Sequence, residues 1–275
     1  MSIIQMPEIS LPTEDDWKYY CTFGSPQVYL REMERGLNED NRFFCDFRLL
    51  KLLYWYAHQT DIRATVNYIL YPDQKLFRAR IYDKTTDSEE KSPEFLGYGP
   101  NNSFVPPEHI MTSAGRANPR GIRYLYAAVD ARTAITEANP LLKDDVSVAE
   151  ISVQEKLSIL NFANTWTSTV GEDGKYTEWK RQLPLAFTEI FNAPQRDTAK
   201  YILCQYLSEC IKNLGYDGIR FASSKIKIDP KQRVGINYTI FNYQKCRATS
   251  SRLYYVNDLN YTLRVQNDNG FFGPF

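Results

Sequence analysis

The residues with chemistry to offer gather in one stretch, GRANPRGIRYLYAAVDARTAITE, over 115–137. Arg116 and Asn118 stand in a glycine-bracketed turn, Tyr126 in a strand-like run and Glu137 in a short helix-like run. Side chains of these kinds act together only if the three elements fold back on one another. Elsewhere the chemistry is sparse. With His58 and His109 as the only 2 histidines, histidine-based triads and multi-histidine metal centres are not expected. The 5 cysteines, Cys21, Cys45, Cys204, Cys210 and Cys246, include no CxxC pair, so neither a zinc site nor a dithiol redox site is expected. No Walker-type phosphate loop and no GxGxxG is present. An enzyme built from this chain has to work with Arg, Tyr, Glu, Ser and Asn.

Cleavage of the bond between nicotinamide and ribose in NAD suits that set. The pyridinium leaves as a neutral base, so its departure needs no general acid. What remains is to hold the ribose, pin the pyrophosphate and stabilise an oxocarbenium-like centre, which a carboxylate does electrostatically in a dry pocket. Arginine matches phosphate through two parallel hydrogen bonds, and tyrosine can stack on the nicotinamide ring. The residue set permits this reaction without singling it out.

The elements that must position these groups are readable from local pattern. Ser25 and Pro26 make an N-cap and first helical position for a helix over 25–41. A second helix over 41–60 carries Phe43, Phe44, Phe47, Leu50, Leu53 and Tyr54 at helical spacing, read as core. From QKLFRARIY (74–82) strands separated by polar turns take over, and 85–94 reads as a solvated loop. The Gly-, Pro- and Asn-rich run 96–109 predicts a long surface connection. GIRYLYAAV (121–129) predicts a strand with Ile122, Tyr124, Tyr126 and Ala128 on one face, and Asp130 caps the helix after it. Further strands are predicted at 146–153, 218–224, 234–241 and 252–256. A helix over 197–215 ends at Gly215, and Cys204 and Cys210 act as small core residues within it. This reading divides the chain into an N-terminal helical module, 1–70, and a larger domain, 71–275. The 33 basic and 33 acidic residues cancel, so neither nucleic acid nor a membrane surface is an expected partner. With no signal-like leader and no 18-residue apolar run, the cytoplasm is the expected location.

Four blocks in order, LFRAR (76–80), GRANPRGIRYLYAAVDARTAITEA (115–138), GYDGIRFASS (215–224) and GINYTIF (235–241), resemble the RES-domain family. The similarity spans roughly residues 70–245. The resemblance implies an α+β fold of the ADP-ribosyltransferase type, a mixed β core with flanking helices, here preceded by the helical module. It implies an NAD-consuming toxin with NAD as substrate and no metal. ADP-ribose would pass to inorganic phosphate or water, depleting cellular NAD, and an antitoxin protein would restrain the activity. By position in the motifs, the family's first arginine is Arg78, with Arg80 its rival. The turn supplies Arg116 and Asn118, the strand Tyr126, the helix Glu137, the serine block Ser223 with Ser224 as rival, and the last block Asn237. Arg78, Tyr126, Glu137 and Ser223 would be catalytic; Arg80, Arg116, Asn118, Ser224 and Asn237 would bind NAD. Ala117 stands where the family often has a larger residue, and Ala222 where it often has proline. A protein ADP-ribosyltransferase and a non-catalytic ADP-ribose-binding module are the competing readings.

Overall fold

The computed structural model describes residues 9–40, 47–58, 66–87, 89, 92–105, 112–163, 176–192, 201–226, 228, 235–259, 265–266 and 272–273. Cys45, His109 and Phe43 to Phe44 lie outside them. Three helices lead the chain: α1 (Glu14–Cys21), α2 (Pro26–Glu39) and α3 (Phe47–Ala57). The cap at Ser25 with Pro26 behind it starts α2 as expected. Helix α1 has no counterpart among the elements expected from the sequence, the first of which begins at Ser25. It starts on a capping box in which Thr13 Oγ1 accepts the Asp16 N–H and the Asp16 carboxylate accepts the Thr13 N–H. Its charged first turn masks a buried side carrying Trp17 and Tyr20.

Strands β1 (Asn67–Leu70) and β2 (Lys75–Ile81) follow, then β3 (Leu125–Ala128), α4 (Ala131–Ala138), β4 (Asp145–Val153) and β5 (Leu157–Asn161). Helices α5 (Thr177–Asn192) and α6 (Ile202–Asn213) precede β6 (Gly218–Ala222), β7 (Ile236–Ile240) and β8 (Cys246–Tyr255). The eight strands form one mixed sheet in the order β1-β5-β6-β7-β3-β2-β4-β8. Only β5 and β6 run parallel; every other neighbouring pair is antiparallel. The architecture is the α+β type that the sequence predicts, a mixed sheet with helices against it.

Strands β2 and β3 meet in a single pair, Phe77 opposite Ala128. On either side of them the ladders are continuous, β2 with β4 over Lys75–Ile81 and β3 with β7 over Leu125–Ala128. The sheet is therefore two subsheets hinged at one bridge.

Side chains paired in register leave a sheet on the same face. Phe77, Ala128, Asn237 and Phe221 form one such cross-strand row. On their face α4 packs Ala131 and Ile135 with Phe77, Ala79, Val146 and Val148. The same face, further along the sheet, joins α1–α3, α5 and α6 in a continuous core through Leu160, Ile219 and Phe221. Trp179 of α5 stacks on Tyr20 of α1 at 5.4 Å, and Tyr56 of α3 donates a 2.6 Å hydrogen bond to the Asn161 carbonyl of β5. The opposite face buries Leu76, Leu125, Ala127, Ile159, Tyr238 and Ile240.

Two expectations are corrected, and a further helix has no counterpart among them. The strand expected over 121–129 is confined to Leu125–Ala128, because the preceding turn continues through Gly121 (φ +89°) and Ile122 donates its N–H to Pro119 O. Ile122 is exposed instead of sharing the face of Tyr126. The described part of the connection over 96–109 is not a free surface loop: Leu96 bonds Ser251 O, Gly97 bonds Ser251 Oγ and Tyr98 bonds Ser147 Oγ. Tyr98 and Ser103 are buried there. Helix α5 was not expected at all. Pro184 inside it argues against a helix locally, but Trp179, Leu183, Phe187 and Phe191 recur every four residues and are all buried. The apolar stripe outweighs one missing backbone hydrogen bond. Among the described residues no helix is long and apolar enough to cross a membrane.

Candidate active site

Helix α4 carries the acidic group. Asp130 accepts the Thr133 N–H at 2.9 Å, a local N-cap, and Thr133 donates its hydroxyl back to the same carboxylate. Thr133 is fully buried and its Oγ1 also accepts the Gly235 N–H at 2.9 Å. Gly235 in turn accepts the Ser223 N–H on its carbonyl at 2.9 Å. Its φ of +81° lies in the left-handed region, and a Cβ there would stand 3.0 Å from the Ile228 backbone, so glycine is required at this junction. One turn beyond Thr133 on the same side of α4 sits Glu137.

Two groups converge on one oxygen of that carboxylate. Ser223 Oγ donates to Glu137 Oε1 at 2.6 Å, and Asn237 Nδ2 donates to the same oxygen at 2.7 Å. Ser223 Oγ also accepts the N–H groups of Lys225 and Ile226, each at 3.1 Å. A hydroxyl has one proton and two acceptor sites. With both acceptor sites occupied, its proton has to point at Glu137, so Ser223 fixes the carboxylate and is not arranged as a nucleophile. Ser224 is exposed and takes no part in these bonds. Lys225, which sequence reasoning passed over, brings Nζ to 4.0 Å from Glu137 Oε2.

The turn that opens the 115–137 stretch is braced from within. Tyr126 donates to Asn118 Oδ1 at 2.6 Å and accepts the Ala117 N–H at 3.0 Å. Asn118 is buried, and its Nδ2 faces the carbonyls of Ser113, Pro119 and Ile122 at 2.9–3.1 Å. Gly115 leaves room for this knot: a Cβ on it would press on Asn118 Oδ1 and lie 2.6 Å from the Tyr126 hydroxyl. Burial, the largest influence, pushes the Tyr126 phenol well above its ordinary range, and it stays protonated and donating. Both Tyr126 and Asn118 therefore direct their polar atoms into the turn. Arg116, half-buried, points away from this knot towards α5, α6 and β6. Its Nη1 donates to Phe191 O at 2.5 Å, and its guanidinium lies 5.9 Å from the ring centres of Tyr201 and Phe221. Phe221 is the register neighbour of Asn237, so Arg116, Phe221, Asn237, Glu137 and Ser223 follow one another along one face.

Arg78 does not join that group. It lies one residue past the bridge that hinges the two subsheets, and its pleat position is opposite to that of Phe77. No hydrogen bond or ion pair links it to Glu137. Its Nη1 is enclosed without a hydrogen-bond partner, and burial, with the Arg80 charge beside it, pushes its pKa down to about 10. Arg80 is exposed, donates to Asn102 O at 2.7 Å and stacks over Tyr98 at 4.9 Å. A surface depression of about 320 Å³ near His58 and Tyr216 shares no residue with either group. Among the described residues no three His, Cys, Asp or Glu side chains cluster as metal ligands would.

Residues 96–264, more than half of the chain, match the RES domain. The chain belongs to the RES-domain family. Glu137, Ser223, Asn237, Arg116, Asn118 and Tyr126 all fall inside the matched RES segment; Arg78 and Arg80 precede it. The chain is also similar to a chain in the crystal structure of the M. tuberculosis MbcT–MbcA toxin–antitoxin complex. That likeness has 12% sequence identity and a TM-score of 0.39 over 68% of this chain and 86% of that one. No curated protein matches the chain. Two parts of the candidate site had no signal in the sequence. Thr133 and Gly235 lie about a hundred residues apart, and Lys225 falls between the strands expected at 218–224 and 234–241.

Proposed function

We propose that this chain is an NAD-degrading enzyme of the toxin type, which cleaves the nicotinamide–ribose bond and passes ADP-ribose to phosphate or water. The observation that carries this reading is the Glu137 carboxylate. Ser223 and Asn237 both bond its Oε1, which leaves Oε2 to face a cation. A fixed carboxylate in that state lowers the energy of an oxocarbenium-like ribose without any reorganisation at the moment of reaction. Nicotinamide leaves neutral, so a site without a histidine suffices. Arg116 belongs to the same face and matches a pyrophosphate oxygen pair. In this reading residues 71–275 carry the NAD site and the helices of 1–70 brace it through the shared core. Unrestrained NAD loss would harm the cell that makes the enzyme, so an antitoxin protein is the expected partner.

Incubation with NAD, with and without phosphate, tests the reading directly. Nicotinamide is released, phosphate speeds its release, and ADP-ribose 1″-phosphate appears among the products, because an anion is drawn to a site that holds basic groups. Free ADP-ribose alone, at rates indifferent to phosphate, makes the enzyme a hydrolase. Label transferred to a co-incubated protein makes it a protein ADP-ribosyltransferase. ADP-ribose binding without any nicotinamide release overturns the enzymatic reading.

The two arginines of β2 separate by affinity. Arg78 has an enclosed guanidinium nitrogen with no partner, and a phosphate oxygen would supply one; Arg80 already bonds Asn102 O. Lysine lacks the fork that such a contact uses. Calorimetry in the Glu137→Gln background is expected to show NAD binding weakened by Arg78→Lys and little changed by Arg80→Lys. The reverse order would transfer the role to Arg80.

A further inference from the structure

The ammonium of Lys225 reaches two places at once. It donates to the Thr136 carbonyl at 3.2 Å and to the Glu137 carbonyl at 3.1 Å, in the last turn of α4. There it satisfies helix-end acceptors and complements the helix dipole. From that position Nζ stands 4.0 Å from Glu137 Oε2, too far for a hydrogen bond and close enough to attract. Meanwhile the Lys225 backbone N–H is one of the two that hold the Ser223 hydroxyl. One residue thus ties the end of α4 to the turn that delivers Ser223.

We propose that Lys225 is a positioning residue for Glu137, a latch that closes the 223–226 turn against α4. The inference rests on Glu137 being the working carboxylate. The latch keeps Ser223 on Oε1, and because its donors go to main-chain carbonyls the ammonium stops short of Oε2, which stays open to substrate. Without it, among the described residues, the hydrogen bonds that tie α4 to the turn are Ser223 Oγ to Glu137 and, by way of Gly235, the Gly235 N–H to Thr133 Oγ1 and the Ser223 N–H to Gly235 O. A carboxylate that wanders by a fraction of an ångström loses its effect on the transition state before it loses substrate.

The test compares Lys225→Met with Lys225→Arg in the full chain. Small misplacement of a catalytic group costs rate steeply, so Lys225→Met is expected to lower kcat about tenfold. A KM for NAD that moves less than about twofold marks a loss specific to the transition state. Arginine keeps a donor for the carbonyls and restores most of the rate. Ser223→Ala and Lys225→Met, acting on the same carboxylate, combine less than additively. A second readout needs no NAD. Hydrogen exchange at the Lys225 and Ile226 amides, which bond Ser223 Oγ, speeds by about tenfold in Lys225→Met and returns to normal in Lys225→Arg, with the sheet unaffected. Unchanged exchange in Lys225→Met, or a kcat that arginine does not rescue, overturns the latch. Absence of nicotinamide release from the wild-type protein would overturn the proposed function instead, while exchange still decides the latch.

Discussion

Glu137→Gln leaves the fold intact and removes most NAD cleavage, a loss of about 3 kcal/mol in the barrier, comparable with deleting an oxyanion-hole donor. The substitution is nearly isosteric. The amide oxygen can still accept from Ser223 and Asn237, so the local hydrogen bonds survive, and what disappears is the negative charge at the position of Oε2. Single-turnover release of nicotinamide separates this loss from weakened binding, and thermal unfolding checks that the variant is folded. Turnover near that of the wild type would remove Glu137 from the mechanism.

Tyr126→Phe is expected to destabilise the protein by about 3 kcal/mol, since two buried groups lose their partner and each such loss costs roughly 1–3 kcal/mol. The groups are Asn118 Oδ1 and the Ala117 N–H, both enclosed by the 115–122 turn. Phenylalanine keeps the aromatic face, so stacking on a nicotinamide ring would be retained. The variant therefore tells a brace from a stacking platform. Denaturant unfolding with a lowered midpoint, together with NAD turnover preserved in the surviving folded fraction, supports the brace. Unchanged stability with turnover lost would place the hydroxyl on substrate.

Much of the local structure was legible. Asp130 announces α4 because a carboxylate in that position can accept an N–H three residues on, and Ser25 with Pro26 announces α2 for the same kind of reason. Gly215, with φ +90°, closes the segment that ends α6. These signals act within four residues and need no partner from elsewhere. Helix α5 escaped because Pro184 speaks locally against it, while the burial that favours it depends on α1 and the sheet. The loop over 96–105 escaped because its anchors, Ser147 and Ser251, lie in other strands.

The site divides along the same line. The sequence by itself determined which chemistry was available: arginine, tyrosine, carboxylate, serine and asparagine, with too few histidines for a triad. It also placed Glu137 on a helix and Asn237 on a strand, and its four ordered blocks pointed to the RES family. Only the tertiary structure decided who meets whom. Glu137 finds Ser223 86 residues away and Asn237 100 residues away, while Arg78 stands across the hinge, out of hydrogen-bonding reach of them. Asn118 and Tyr126, equally eligible for a ligand by residue type, turn inward to each other. The reason is physical. Caps and periodicity are set by neighbours along the chain, whereas a contact between distant side chains depends on strand order and register. A one-residue change of register would carry Asn237 to the other face of the sheet and leave Glu137 without it.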